Sequence, residues 1–208
     1  MQNFWQKNNL LKLENDTFII DMMYATPENI TCHPIYMEVG FGAKAYLHAD
    51  AVAKLEKVAH ILKNIRLKLR IRDAYRPPVA HNRILEVLPV KGLFASKAEN
   101  SLHCYGTALD CCLADEHGNN LLFPTEIDAY EKKYAEQIAS GKTDDFYLHF
   151  AKAASDFYAL GYEEAIKNRS LLRQIMFDAG FEGIKSEWWH FQLPQSKELY
   201  SLIEWTNQ

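Results

Sequence analysis

Two stretches of this chain carry side chains that bind divalent metals and move protons: SLHCYGTALD at 101–110 and EWWHF at 187–191. His103, Asp110 and His190 supply two imidazoles and one carboxylate. That is a donor set for a catalytic zinc ion, which takes three protein ligands and keeps a fourth position open. Two donors share one segment and the third lies far downstream, so such a site would tie distant parts of the core together. Glu187 stands three residues before His190. A carboxylate beside the donors but outside their set can take a proton from an activated water. On a regular strand, residues three apart face opposite ways. Glu187 must therefore precede the regular strand, or the strand must bulge. The helical HExxH motif is absent, which excludes a thermolysin-like arrangement. Taken singly, each residue has a plainer reading: a core histidine, a strand-end aspartate, a solvated glutamate.

The elements that must position these residues can be read from periodicity. Residues 17–24 begin apolar and β-branched and predict a strand. Asp50 is placed to cap a helix through AVAKLEKVAHILKNI, where Val52, Leu55, Val58, Ala59 and Leu62 form one apolar stripe. In LKLRIRDAY, Leu67, Leu69 and Ile71 alternate with Lys68, Arg70 and Arg72, the period of a half-buried strand. Proline ends that strand near YRPP, and a short helix is expected over 79–87. Residues 90–102 read as a loop, 106–114 as a strand, and 124–180 mainly as helix with breaks near Gly141 and Gly161. Gly180 sits where a C-terminal glycine cap belongs. A final strand is expected over 187–193. Strands and helices do not alternate strictly, so the expectation is an α+β fold: a single domain over 1–208 with a central antiparallel or mixed sheet flanked by helices.

Composition is that of an ordinary soluble globular protein. The chain has 208 residues, enough for one well-buried core and few for two. Hydrophobic residues make up 48% and charged residues 24%, which excludes intrinsic disorder. The net charge of −4 is mixed along the chain, with no basic stripe for nucleic acid and no cationic amphipathic segment for a membrane. The opening residues are broken by Lys12, Glu14, Asn15 and Asp16 and do not read as a secretory signal. A cytoplasmic protein is expected. Cys32, Cys104, Cys111 and Cys112 then read as free thiols. No motif speaks to oligomeric state.

Ser101, His103, Gly106, Ala108 and Asp110, followed by Glu187, Trp189 and His190, form a pattern that resembles the VanX-type D-alanyl-D-alanine dipeptidases. DAYRP at 73–77 is similar to that family's D-x-Y-R-P motif, and IDMMYATPENITCHPIY and YLHADA are similar as well. The likeness runs from about residue 17 to about residue 194, and several motifs in order are far more specific than one.

The resemblance implies a hedgehog/D,D-peptidase-like fold and one Zn2+ per chain on His103, Asp110 and His190. It implies Glu187 as general base and proton donor, and Arg76 as the stabiliser of the tetrahedral oxyanion. Ser101 would contact substrate or brace the loop of His103, and Asp128, in PTEID, would hold the substrate ammonium. The implied substrate is a small D,D-dipeptide, D-Ala-D-Ala first. Leu102, Cys104 and Tyr105 depart from the polar or basic residues common at those places, and residues 131–150 match no family role. Cys104 adjoins a proposed ligand, but neighbouring residues rarely converge on one ion. Two alternatives stand beside this one. A D,D-carboxypeptidase acting on peptidoglycan stem peptides would carry the same metal set. A non-catalytic zinc-binding interaction domain would need neither Glu187 nor Arg76.

Overall fold

A computed structural model describes residues 2–90, 93–128, 163–185 and 187–205. Its centre is a five-stranded mixed sheet. The strands are β2 (Phe18–Ile20), β4 (Leu67–Asp73), β5 (Ala108–Asp115), β6 (Glu182–Ile184) and β7 (Glu187–Gln192), in the order β2-β4-β5-β7-β6. β2 runs parallel to β4, and every other pairing is antiparallel. A two-stranded sheet joins β1 (Leu10–Lys12) to β3 (Tyr46–His48). The α+β expectation with a mixed sheet therefore holds. Among the described residues, no helix is long and apolar enough to cross a membrane.

Four helices matter for the argument: α1 (Phe4–Lys7), α2 (Ile35–Glu38), α3 (Ala49–Asn64) and α4 (Pro78–Val87). The stripe foreseen on α3 is buried through Leu55, Val58, Ala59 and Leu62, and packs on β4. Its cap differs from expectation. His48 occupies the N-cap and its ring accepts from the Asp50 backbone N–H at 3.3 Å, so Asp50 lies inside the first turn. Burying α3 and β4 against each other removes large aliphatic side chains from water, at roughly 1.5–3 kcal/mol for each one fully buried.

Two other boundaries moved. The first strand of the main sheet stops at Ile20, and Met23–Ala25 turn into a short 3₁₀ helix. The strand breaks where the Asp21 carboxylate turns to Arg70 of β4 at 2.7 Å. The long helix expected over 124–180 is seen as α5 (Glu163–Asp178), while 124–128 are not helical; 129–162 lie outside the described residues. Gly180 does close α5. At φ +94° it lets its own N–H reach Phe177 O and the N–H of Phe181 reach Met176 O. The last helix is the short α6 (Ser196–Leu199). All four cysteines are free thiols, three of them buried.

Candidate metal centre

The site grows from one row across the sheet. Asp73 at the end of β4 is the cross-strand partner of Asp110 on β5, and Asp110 is the partner of His190 on β7. Side chains directly opposite on neighbouring strands sit within contact distance. Two of the sequence-predicted donors are thus brought together by register alone.

His103 arrives from outside the sheet, on a 3₁₀ turn, Leu102–Tyr105. That turn is tied down by its backbone: His103 O accepts from the N–H of both Arg76 and Gly106, at 3.1 and 3.0 Å. Gly106 then reverses the chain into β5 at φ +67°. A Cβ there would lie 2.7 Å from the Leu10 side chain and 3.3 Å from the His48 N, in a conformation L side chains rarely adopt, so any other residue would be strained.

The three donors close a small triangle. His103 Nε2 lies 3.2 Å from His190 Nδ1, His190 Nδ1 lies 3.0 Å from Asp110 Oδ1, and His103 Nε2 lies 3.4 Å from Asp110 Oδ1. All three residues are buried. Ligand atoms about 2.0–2.1 Å from a tetrahedral zinc are about 3.3 Å apart, so the observed edges match the donor spacing of such an ion. The rings are also oriented for it. His103 Nδ1–H donates to Ala74 O at 2.9 Å, which leaves Nε2 with its lone pair. His190 Nε2–H donates to Gln192 Oε1 at 3.1 Å, which leaves Nδ1 with its own. Metal-binding histidines are held this way by an acceptor on the second ring nitrogen.

The charges agree. Burial opposes ionisation of Asp110, yet the two imidazoles outweigh it and hold its carboxyl well below the usual range. Burial likewise opposes a charge on His103, but Asp110 and Asp73 outweigh burial and the repulsion of Arg76, and raise it. An anionic cradle of this kind, lined with imidazoles, suits a divalent cation.

Glu187 stands with its Oε2 3.7 Å from His190 Nδ1. The spacing problem posed by the sequence is solved by a break in register. β6 pairs Gly183 with Phe191 but Ile184 with Glu187, so β7 bulges between Glu187 and Phe191. Burial pushes the Glu187 carboxyl up to about 8, against the pull of His190. A cation in the cradle would draw it back down.

Arg76 is buried three residues after Asp73. Its Nε and Nη2 both donate to Asp73 Oδ2, at 2.9 and 2.6 Å, and Nη2 lies 4.0 Å from Asp110 Oδ2. Asp73 also accepts from the Tyr36 hydroxyl and from the Ala74 N–H. Burial works against the guanidinium, but Asp73, Tyr36 and Tyr24 keep it ionised.

Asp128 also reaches the site. Trp188 stacks on Phe123 with ring centroids 4.3 Å apart, and its indole N–H donates to the Thr125 hydroxyl at 2.9 Å. These contacts hold the segment leading to Asp128, whose Oδ2 accepts from the Tyr24 hydroxyl at 2.6 Å. Burial and the charge of Asp110 raise Asp128 to about 6. Ser101 is buried at the start of the His103 turn. Cys104 is not among the converging donors, and burial pushes its thiol up to about 12.

Arg76, Ser101, His103, Asp110, Asp128, Glu187 and His190 all line one cavity of about 300 Å³. A larger, open groove of about 790 Å³ between the Glu14–Thr17 loop and α3 mixes acidic and basic side chains that converge on nothing.

Comparison with known proteins gives the same answer as the geometry. The model of the peptidase M15 family, described as D-ala-D-ala dipeptidase, matches residues 148–204. The D-alanyl-D-alanine dipeptidase of Escherichia coli (strain K12) is 35% identical over 178 residues, covering 85% of this chain and 79% of the relative. The chain belongs to the D-alanyl-D-alanine dipeptidase family. Relatives of that name from Enterococcus faecalis (strain ATCC 700802 / V583) and Enterococcus faecium are each 27% identical, over 83% of this chain and 84% of their own length.

Every site residue the sequence marked lines the one cavity, but reading the sequence missed three that serve it. Tyr24 and Tyr36 bind Asp128 and Asp73; both lie in the family-like stretch at 20–36, but nothing in it gave them a role. Gln192 binds the second nitrogen of His190, and here a signal was available: two residues along a strand lie on one face. We expect Gln192→Leu to weaken divalent-metal binding about 10–100-fold, measured by competition with a chromophoric chelator. Unchanged affinity would show that the ring needs no such partner.

Proposed function

We propose that this chain is a zinc-dependent dipeptidase that hydrolyses D-Ala-D-Ala and similar free D,D-dipeptides, with one zinc ion held by His103, Asp110 and His190. The observation that supports this most is the donor triangle, with edges of 3.0–3.4 Å, on the wall of a cavity that also holds Glu187. When bound, zinc supplies a Lewis acid for the scissile carbonyl and a source of nucleophilic water at neutral pH.

The protein's own groups do the rest. Glu187 takes the proton of the attacking water and returns it to the departing amine. Arg76 stabilises the oxygen that gains negative charge; a guanidinium stays ionised at any working pH and offers a planar fork of donors. Asp128, steadied by Tyr24, meets the substrate ammonium, and the Ser101 hydroxyl donates to the substrate. A volume of about 300 Å³ is at the small end of ligand pockets, which favours a dipeptide over a stem peptide. We infer a hedgehog/D,D-peptidase type of fold from the mixed sheet with its donors on adjacent central strands. We infer a cytoplasmic setting from four unpaired thiols, which favour a reducing compartment.

The test is hydrolysis of D-Ala-D-Ala and of N-acylated D-Ala-D-Ala by zinc-loaded protein, with and without a chelator. Chelator-sensitive cleavage of the free dipeptide alone is the expected result. Cleavage of the blocked substrate would make the protein a D,D-carboxypeptidase. Cleavage of neither would leave a zinc-binding interaction domain.

A further inference from the structure

Among the described residues, the cavity wall holds two positively charged side chains, and the mechanism uses only one. Arg76 is committed to Asp73. The other is Lys197, at the second position of α6. Its Nζ donates to Asn100 Oδ1 at 3.0 Å, and among the described residues no carboxylate lies within ion-pair reach of it. A lysine ammonium has three N–H donors. A single neutral amide partner leaves two of them, and the charge, to water or to a ligand in the cavity. Asn100 faces the same cavity, and with its Oδ1 taken by Lys197 its Nδ2 remains a donor.

A free dipeptide is a zwitterion with its two charges on either side of one peptide bond. A site that takes it from water must answer both charges or lose the hydration of each. Of the wall's carboxylates, Asp128 stands outside the donor set and is not the proposed base, and it is held by Tyr24. Lys197 is held by Asn100, beside the turn that carries His103. We propose that Lys197, with Asn100, is the subsite for the substrate's free C-terminal carboxylate, an assignment that rests on the dipeptidase reading above. It would make the enzyme selective for an unblocked C-terminus as Asp128 makes it selective for an unblocked N-terminus. It also uses a residue of α6, beyond the metal-binding strand, that no motif marks.

A carboxylate could equally come from an acidic side chain on the second residue, so three substrates are needed: D-Ala-D-Ala, its C-terminal amide, and the C-terminal amide of D-Ala-D-Asp. They are compared for the wild type, Lys197→Met and Lys197→Arg, with zinc content measured for each. Lys197 is exposed, so the variants should fold. A charge-assisted hydrogen bond is worth about 1.5–3 kcal/mol, or about 10–100-fold. Lys197→Met should raise KM for D-Ala-D-Ala by that factor with kcat unchanged, as loss of uniform binding requires. It should leave the D-Ala-D-Ala amide unaffected, and Lys197→Arg should restore most of the loss. An unchanged KM in Lys197→Met overturns the assignment, as does a loss confined to the D-Ala-D-Asp amide. A wild type that cleaves none of the three overturns the dipeptidase reading, and this subsite with it.

Discussion

Glu187→Gln is expected to lower kcat on D-Ala-D-Ala by roughly 10²–10⁴-fold, the usual worth of a positioned acid–base group, while one zinc per chain is retained. The expectation follows from position. Glu187 is close enough to His190 to feel its charge, at 3.7 Å, yet it stands outside the donor triangle. The amide keeps the shape of the side chain and removes its ability to carry a proton. Kinetics and metal analysis on the same preparation separate the two functions. A variant that keeps near-normal turnover would remove Glu187 from the chemistry, and one that loses its zinc would make it a ligand.

The second large effect concerns Arg76, which is the counter-charge of buried Asp73 and, in the proposed function, also stabilises the oxyanion. Arg76→Met leaves Asp73 with its hydrogen bonds to Tyr36 and Ala74 but without its counter-charge, in a fully buried place. Removing one partner of a buried pair costs about 3–5 kcal/mol, so a large fall in Tm is expected along with loss of activity. The double variant Asp73→Asn/Arg76→Met isolates the chemistry. With no orphaned charge it should regain most of the stability and still turn over at least about 100-fold slower than wild type, the scale of losing one oxyanion donor. Recovery of activity together with stability would reduce Arg76 to a strut.

The sequence made the chemistry more legible than its support. His103, Asp110, His190 and Glu187 could be named because few residue types bind zinc or move protons, and because their order matches a family pattern. Spacing alone could not say how Glu187 turns to the same side as His190; the bulge in β7 depends on how β6 pairs with it, which is a tertiary fact. Tyr24, Tyr36 and Gln192 escaped notice for the same reason, since a hydroxyl or amide has no signature until its partner is in place. The Asp50 cap was misjudged because His48, an unusual cap, ends β3 one residue before the helix begins. The helix expected at 124–128 gave way to the stacking of Phe123 on Trp188, a contact between residues far apart in the chain.

The position of β7 has a consequence for how the protein is made. During synthesis on the ribosome, His103 and Asp110 leave the exit tunnel well before His190, which follows Asp110 by 80 residues. Until β7 docks on β5, a passing ion finds two donors instead of three and no neighbouring base. Three-donor metal binding therefore requires the closed sheet, so the nascent chain cannot become an active hydrolase halfway through translation.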